Sequence, residues 1–317
     1  MKHVNLGSQG LAVPSVGLGC MGMSDFYGSS SEAQNLRVLD RAAEIGCTFW
    51  DTADMYGPFK NEILLSKALA GRRERITLAT KFGVSRGDDG SWRGIKGSAE
   101  YVRASCDASL KRLGTDYIDL YYQHRVDPGT PIEETVGAMA ELVHAGKVRY
   151  IGLSEADPET LARAHRVHPI SALQTEYSLW SREVEVEILP TTRKLDIGFV
   201  AYSPLGRGFL SGAVRSRSDL EPGDFRLGNP RFTDEAIANN SRLADAVAEI
   251  AKEIGATTAQ VALAWVLSRD VSIAVIPGTR KIERLEANWA SQEITLRTDH
   301  VERLGALLDQ AVVGSRY

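Results

Sequence analysis

The sequence predicts a (β/α)8 barrel, the TIM-barrel class of α/β fold, and three observations carry that expectation. Eight short apolar runs alternate strictly with amphipathic helical stretches over 317 residues, with no linker or composition break between them. The runs are continuously apolar, as expected of parallel strands covered on both faces. Polar side chains follow the runs at the points where the C-terminal rim of a barrel would lie. The competing arrangement for this alternation is an open doubly wound sheet. Residues 1–317 read as one domain, and a chain of that length buries a large core.

Taken in order, Val4–Val13 reads as a hairpin turning at Gln9-Gly10, placed to plug the N-terminal end of the barrel. The candidate strands are Ser15–Cys20, Thr48–Trp50, Ile76–Thr80, Ile118–Tyr122, Tyr150–Leu153, Ala172–Thr175, Gly198–Tyr202 and Ile273–Ile276. Helical periodicity runs through Ser31–Ile45, Glu62–Ala70, Ala99–Arg112, Ile132–Ala145, Pro158–His168, Glu183–Leu195, Asn240–Ile254 and Thr258–Leu267. Ser98, Thr130-Pro131 and Asp157-Pro158 carry start signals, and Gly46, Gly71, Gly114, Gly146 and Gly255 mark ends. The longest irregular stretch, Gly206 to Thr233, is long enough to be read as functional.

Gly17-x-Gly19-x-x-Gly22 matches the dinucleotide-binding pattern G-x-G-x-x-G. That mechanism needs a helix opening directly on the glycines. Here Met23 to Ser30 reads as loop, so the pattern does not make a Rossmann turn.

Bulk composition narrows the function classes. A net charge of -4 provides no broad attraction to nucleic acid or anionic lipid. No apolar run approaches the roughly 18 residues of a membrane span, and Met1-Lys2-His3-Val4-Asn5 lacks the pattern of a secretory signal. Three well-separated cysteines, Cys20, Cys47 and Cys106, argue against a disulfide framework and fit a reducing compartment, so the expected location is cytoplasmic. The six histidines do not fall at metal-ligand spacings, and no metal is expected. No pattern specifies an oligomeric state.

The strand ends carry a distinctive set of groups: Asp51 and Tyr56 after the second strand, Lys81 after the third, His124 after the fourth. Singly, each has an ordinary reading: a capping acid, a core-edge phenol, a solvated lysine, a hydrogen-bonded histidine. Together they suggest proton delivery. A phenol, with an ordinary pKa of ~10, becomes a usable donor when its phenolate is stabilised. Lys81 would supply that charge and Asp51 would hold the lysine charged and oriented. His124 would orient the substrate oxygen. This is chemistry for a carbonyl whose carbon receives hydride.

The chain resembles the aldo-keto reductases. The resemblance rests on Trp50-Asp51-Thr52-Ala53-Asp54-Met55-Tyr56-Gly57, Ala79-Thr80-Lys81-Phe82-Gly83, Leu120-Tyr121-Tyr122-Gln123-His124-Arg125-Val126-Asp127 and Ile151-Gly152-Leu153-Ser154. It continues in Ala201-Tyr202-Ser203-Pro204-Leu205-Gly206-Arg207-Gly208-Phe209-Leu210 and Ile276-Pro277-Gly278-Thr279-Arg280. These motifs stand in family order over nearly the whole chain and are most similar to the bacterial, plant and fungal branch with pyridoxal reductase-like and auxin-induced-protein-like members.

The resemblance implies a catalytic tetrad of Asp51, Tyr56, Lys81 and His124, with Tyr56 the general acid in reduction. It also implies NADPH lying across the barrel mouth without a Rossmann fold. The backbone of Gly22 and Met23 would approach the nicotinamide ribose. Asp51 would also contact the cofactor, Ser154 and Gln174 would hold the nicotinamide carboxamide, and Tyr202 would stack on the ring. Ser203, Leu205, Gly206 and Arg207 would face the pyrophosphate. Arg280 would read the 2′-phosphate, helped by Gly278 and Thr279, with Arg284 and then Lys281 as further contacts. Asn288 would hold adenine, although the pair here is Ala287-Asn288 where the family often has Glu-Asn. Besides Tyr56 and His124, the candidate substrate-pocket residues are Phe26, Tyr27, Trp92 and Arg125, with Phe225 and Phe232 on the long loops, where aromatic residues serve equally well as packing. Arg125 would bind an anionic group or pair with Asp127.

The expected function is therefore NADPH-dependent reduction of aldehydes and ketones, with a small-molecule carbonyl as the partner and neither nucleic acid nor membrane. A cofactor-sensing subunit like the potassium-channel β-subunits shares fold and tetrad and is the alternative. A Schiff-base lyase using Lys81 is a third reading, but leaves Tyr202, Arg207 and Arg280 without a joint role.

Overall fold

The computed structural model describes residues 2–306 and 312–316. The strands in chain order are β1 (His3–Leu6), β2 (Leu11–Pro14), β3 (Leu18–Gly19), β4 (Phe49–Asp51), β5 (Thr77–Phe82), β6 (Val84–Arg86), β7 (Trp92–Ile95), β8 (Ile118–Gln123), β9 (Val148–Ser154), β10 (Ala172–Glu176), β11 (Gly198–Tyr202) and β12 (Ile273–Val275). Eight of them form one parallel sheet in the order β12-β11-β10-β9-β8-β5-β4-β3. Parallel bridges Val16–Val275 and Gly19–Gly278 bring its first strand onto its last and close the barrel.

That seam explains the glycine pattern. Gly17 donates to the Val275 carbonyl at 2.8 Å, and Val275 donates to the Ser15 carbonyl at 2.9 Å. A Cβ on Gly17 would stand 2.7 Å from the Phe49 carbonyl oxygen, and one on Gly19 would stand 2.7 Å from that of Ile276. Both positions need glycine because neighbouring backbone fills the space. The run Ser15–Cys20 divides its pairing between β4 and β12, so only Leu18–Gly19 forms continuous strand.

The expected N-terminal hairpin is present as β1 and β2, with Leu6 opposite Leu11. Its Leu6, Leu11 and Val13 pack in one buried cluster with Phe49, Ala79, Leu120, Ala172 and Val200 of the barrel strands. The hairpin thus seals one end of the barrel with apolar surface.

The helices are α1 (Glu32–Ile45), α2 (Lys60–Leu69), α3 (Ala99–Leu113), α4 (Ile132–His144), α5 (Pro158–Val167), α6 (Ile188–Lys194), α7 (Asp234–Ile254), α8 (Thr258–Leu267), α9 (Ile282–Ala290) and α10 (Thr298–Ala306). Ser98 and Asp157 cap their helices through side-chain oxygens, as the sequence implies. Thr130 does not cap α4; its hydroxyl donates to Asp127 at 2.9 Å. The helix expected over Glu183–Leu195 is broken into a 3-10 turn and the shorter α6. Pro190 is the reason, since it cannot donate to the Val186 carbonyl and its ring crowds it. Capped by Thr233, α7 begins six residues earlier than periodicity suggests.

Three elements were not foreseen. The hairpin β6–β7 stands on the rim after β5, and its turn carries Asp89-Gly90, a hairpin signal. Helices α9 and α10 follow β12, and α9 matters most because it forms one wall of the cavity described next. Among the described residues, no helix is long and apolar enough to cross a membrane.

Candidate active site

The C-terminal rim opens into an elongated cavity of about 1120 Å³. Pockets of ~300–1,000 Å³ are usual for small ligands, so this one accommodates something larger than a simple carbonyl compound.

At its inner end lie the four strand-end groups. Asp51 is the last residue of β4, and Lys81 lies in β5 beside Tyr122 of β8. Tyr56 sits on the turn between β4 and α2, tied down where Asp54 donates to the Lys81 carbonyl at 3.1 Å. His124 follows β8 and donates its backbone N–H to Phe82 at 2.7 Å. Strand pairing therefore delivers all four to one place.

Lys81 is completely buried. Its Nζ donates to Asp51 Oδ1 at 2.5 Å, to the Thr52 carbonyl at 2.8 Å and to the Tyr56 hydroxyl at 3.4 Å. Burial pulls the ammonium pKa down, but the charge of Asp51 and the Tyr56 hydroxyl outweigh it, and the value lies above that of an ordinary lysine. Such a lysine stays protonated and is not a nucleophile. The other Asp51 oxygen accepts from Gln174 Nε2 at 2.8 Å.

Tyr56 differs from the simplest expectation. Burial raises its phenol pKa, and the opposing pull of Lys81 only partly offsets this. Tyr56 is therefore held in its neutral, proton-carrying form. The ring of His124 stands edge-on to Tyr56, with centroids 5.8 Å apart. Burial, followed by Lys81 and Arg125, lowers the His124 pKa well below the ordinary 6.5, so the imidazole is neutral. Its Nδ1 is buried with no hydrogen-bond partner among the described residues. A bare acceptor is tolerated there better than an orphaned N–H, which assigns the proton to Nε2.

Asp51, Gln174, Ser154, Tyr202, Ser203, Leu205 and Arg207 all line the cavity, as do Gly22 and, at the far end, Gly278, Thr279, Arg280, Arg284 and Asn288. Two expected members do not. Met23 packs its side chain into the core, and its carbonyl already accepts from Ser30 and from Asn35, each at 2.7 Å. Gly206 is buried beneath the rim, and a Cβ there would stand 2.6 Å from the Trp180 ring. The local sequence marks both as loop, but only packing decides which face of the loop is covered.

Phe26, Tyr27, Trp92, Arg125 and Phe225 line the cavity, with Trp92 63% exposed at its lip. Phe232, the remaining aromatic candidate, is completely buried against Trp180 and Phe209 and serves the core. Arg125 donates to the His124 carbonyl at 2.6 Å and to Ser154 Oγ at 3.2 Å. The bonds of Asp127 go to Gly97, Gly129 and Thr130.

Arg280 also has a structural task. Its guanidinium donates to the carbonyls of Ser29 and Tyr27, the latter at 2.9 Å. It thereby fixes the loop after β3. That loop meets the long loop after β11 through Phe225 N–H to Phe26 at 3.0 Å and a Tyr27–Phe225 edge contact at 5.1 Å. The two loops form a bridge beside the cavity. Met55, Val84, Ser211 and Glu221 are among the further lining residues that were not expected. The Asp89-Gly90 turn was the available signal for Val84; the others sit on loops without one.

Among the described residues no group of three His, Cys, Asp or Glu is placed to hold a metal. The family model for the aldo/keto reductase family matches residues 15–309. Among solved structures, the chain is similar to a thermostable aldo-keto reductase, Tm1743, in complex with the inhibitor epalrestat. The two are 31% identical, with 97% of this chain and 100% of that one covered and a TM-score of 0.79.

Proposed function

We propose that this chain, which belongs to the aldo/keto reductase family, is an NADPH-dependent reductase of aldehydes and ketones. The observation that carries the reading is the contiguous chain Asp51–Lys81–Tyr56 at the inner end of the cavity, with neutral His124 beside it.

The cavity's donor set fits a nicotinamide dinucleotide. One end offers proton-handling groups, and the other offers Arg280, Lys281 and Arg284, suited to a phosphate. Between them Tyr202 and Arg207 line the wall, half-buried. Asp51 and Tyr202 would border the nicotinamide, with Ser154 and Gln174 at its carboxamide. Gly22, Ser203, Leu205 and Arg207 would follow its ribose and pyrophosphate. Arg280 and Arg284, with Gly278 and Thr279, would meet the adenosine phosphate, and Asn288 the base. When bound, the reduced nicotinamide supplies hydride.

The protein's own part is the proton. His124 Nε2–H donates to the carbonyl oxygen and orients it. Tyr56 delivers its proton to that oxygen as charge develops there, and the Lys81 ammonium stabilises the phenolate left behind. Asp51 keeps Lys81 charged and in place. Phe26, Tyr27, Trp92 and Phe225 offer apolar surface to the remainder of the substrate, favouring ring-bearing or hydrophobic carbonyl compounds. The three free, buried cysteines suit a reducing, cytoplasmic setting.

The test is a panel of aldehydes and ketones, followed by loss of NADPH absorbance, on the wild type and Tyr56→Phe. The variant should bind NADPH nearly as well and turn over roughly 10²–10⁴-fold more slowly, the usual worth of a positioned general acid. A loss below threefold would remove Tyr56 from the role, and no consumption with any carbonyl compound would overturn the reading.

A further inference from the structure

We infer that Arg316, one residue from the end of the chain, is a positioning residue that fixes Tyr202 at the cavity wall and makes the C-terminal segment part of the cofactor site. The inference rests on the proposed function in taking Tyr202 as a stacking surface for the nicotinamide.

The segment 312–316 is anchored along its length. Asn240, completely buried, accepts from Val313 N–H at 3.0 Å and donates to its carbonyl at 2.9 Å. Arg231 donates to the Gly314 carbonyl at 3.4 Å, and Asn229 to that of Arg316 at 3.1 Å. These bonds deliver the Arg316 side chain to the barrel rim.

There it grips three adjacent strand ends. Its Nε donates to Glu176, the last residue of β10, at 2.9 Å. Its Nη2 donates to Glu155, just after β9, and to the hydroxyl of Tyr202, the last residue of β11, at 2.7 Å. Glu155 in turn accepts the Glu176 N–H at 3.1 Å. Glu176 is buried and also has Arg207 at 3.4 Å and Arg231 at 3.7 Å. Glu176 therefore has other cations, while this one guanidinium ties Glu155 and the Tyr202 hydroxyl to it. A planar fork with several fixed donors suits such a junction, and an ammonium does not.

Tyr202 lines the cavity. A ring already immobilised presents its face without the ordering cost of about 0.5–1.5 kcal/mol for one side chain. At ~1.4 kcal/mol per decade, releasing it should weaken ring binding about 3- to 10-fold.

The experiment uses two halves of the dinucleotide as separate probes, reduced nicotinamide mononucleotide and 2′,5′-ADP, with dissociation constants from quenching of protein fluorescence. Arg316→Ala should weaken the nicotinamide half about 3- to 10-fold and leave 2′,5′-ADP unchanged. Arg316→Lys should restore little of the loss. Tyr202→Phe should reproduce it, and Arg316→Ala should add nothing in that background, because the hydroxyl through which it acts is gone. Equal weakening of both halves would assign Arg316 a general structural role and overturn the inference, as would additive effects of the two substitutions. Wild type that binds neither half would overturn the functional reading itself, and the inference with it.

Discussion

Lys81→Met removes one charge from a pair in which Lys81 and Asp51 are 0% and 3% exposed. Methionine keeps most of the volume, so the cavity term is small and the electrostatic one dominates. The Asp51 carboxylate would be left with the Gln174 amide at 2.8 Å as its remaining side-chain partner. Breaking a buried pair by removing one member costs about 3–5 kcal/mol. With a urea slope near 3 kcal/mol/M for a large domain, the unfolding midpoint at pH 7.5 should fall by about 1–2 M. Adding Asp51→Asn to Lys81→Met removes the stranded charge and should recover at least half of the loss.

The pH dependence has a definite sign. Burial already raises the Asp51 pKa, and loss of Lys81 raises it further. A carboxyl whose folded pKa exceeds its unfolded value binds its proton more readily in the folded state, so stability is gained as pH falls through the folded pKa. The gap between variant and wild type should narrow from pH 7 towards pH 4. Urea unfolding followed by tryptophan fluorescence measures all three proteins. A single variant within 1 kcal/mol of wild type, or a double variant no more stable than the single, would refute the reasoning.

Two further outcomes are expected. Because burial lowers the His124 pKa well below 6.5, the unfolded chain takes up this proton first as pH falls. Wild type should then lose stability below about pH 6.5 by up to ~1.4 kcal/mol per pH unit, a slope that His124→Asn should reduce; identical slopes would place His124 in an ordinary solvated setting. Arg280→Ala should weaken NADPH far more than NADH from a wild-type preference of at least ~10-fold, since charge-assisted bonds to phosphate are worth about 1.5–3 kcal/mol. NADH should also lose some affinity, because Arg280 holds the Tyr27 and Ser29 carbonyls, and equal losses in the two dissociation constants would leave only that structural task.

The clustering of Asp51, Tyr56, Lys81 and His124 was legible because strand ends are legible. An apolar run that stops at Trp50 or Tyr122 places the polar groups just beyond it, Asp51 in one case and Gln123-His124 in the other, at a rim, and the β/α period puts neighbouring rims side by side. The closed barrel and its hairpin plug follow from the same local regularity. Helix α9 was missed although it carries Arg284 and Asn288, and the Glu183–Leu195 stretch was overextended because periodicity outweighed Pro190.

By itself, then, the sequence determined what short-range pattern encodes: the order of strands and helices, the chemistry at their ends and the absence of a helix behind Gly17, Gly19 and Gly22. Tertiary structure alone decided which surfaces are covered. It drew Met23 and Phe232 into the core and made Gly17 and Gly19 the barrel seam. It gave Arg280 two carbonyls to hold and brought Arg316 to Tyr202, 114 residues away. It also reversed the expected shift of Tyr56. Lys81 is one neighbour, whereas desolvation sums over everything that packs around the phenol, and that sum exists only once the chain has folded.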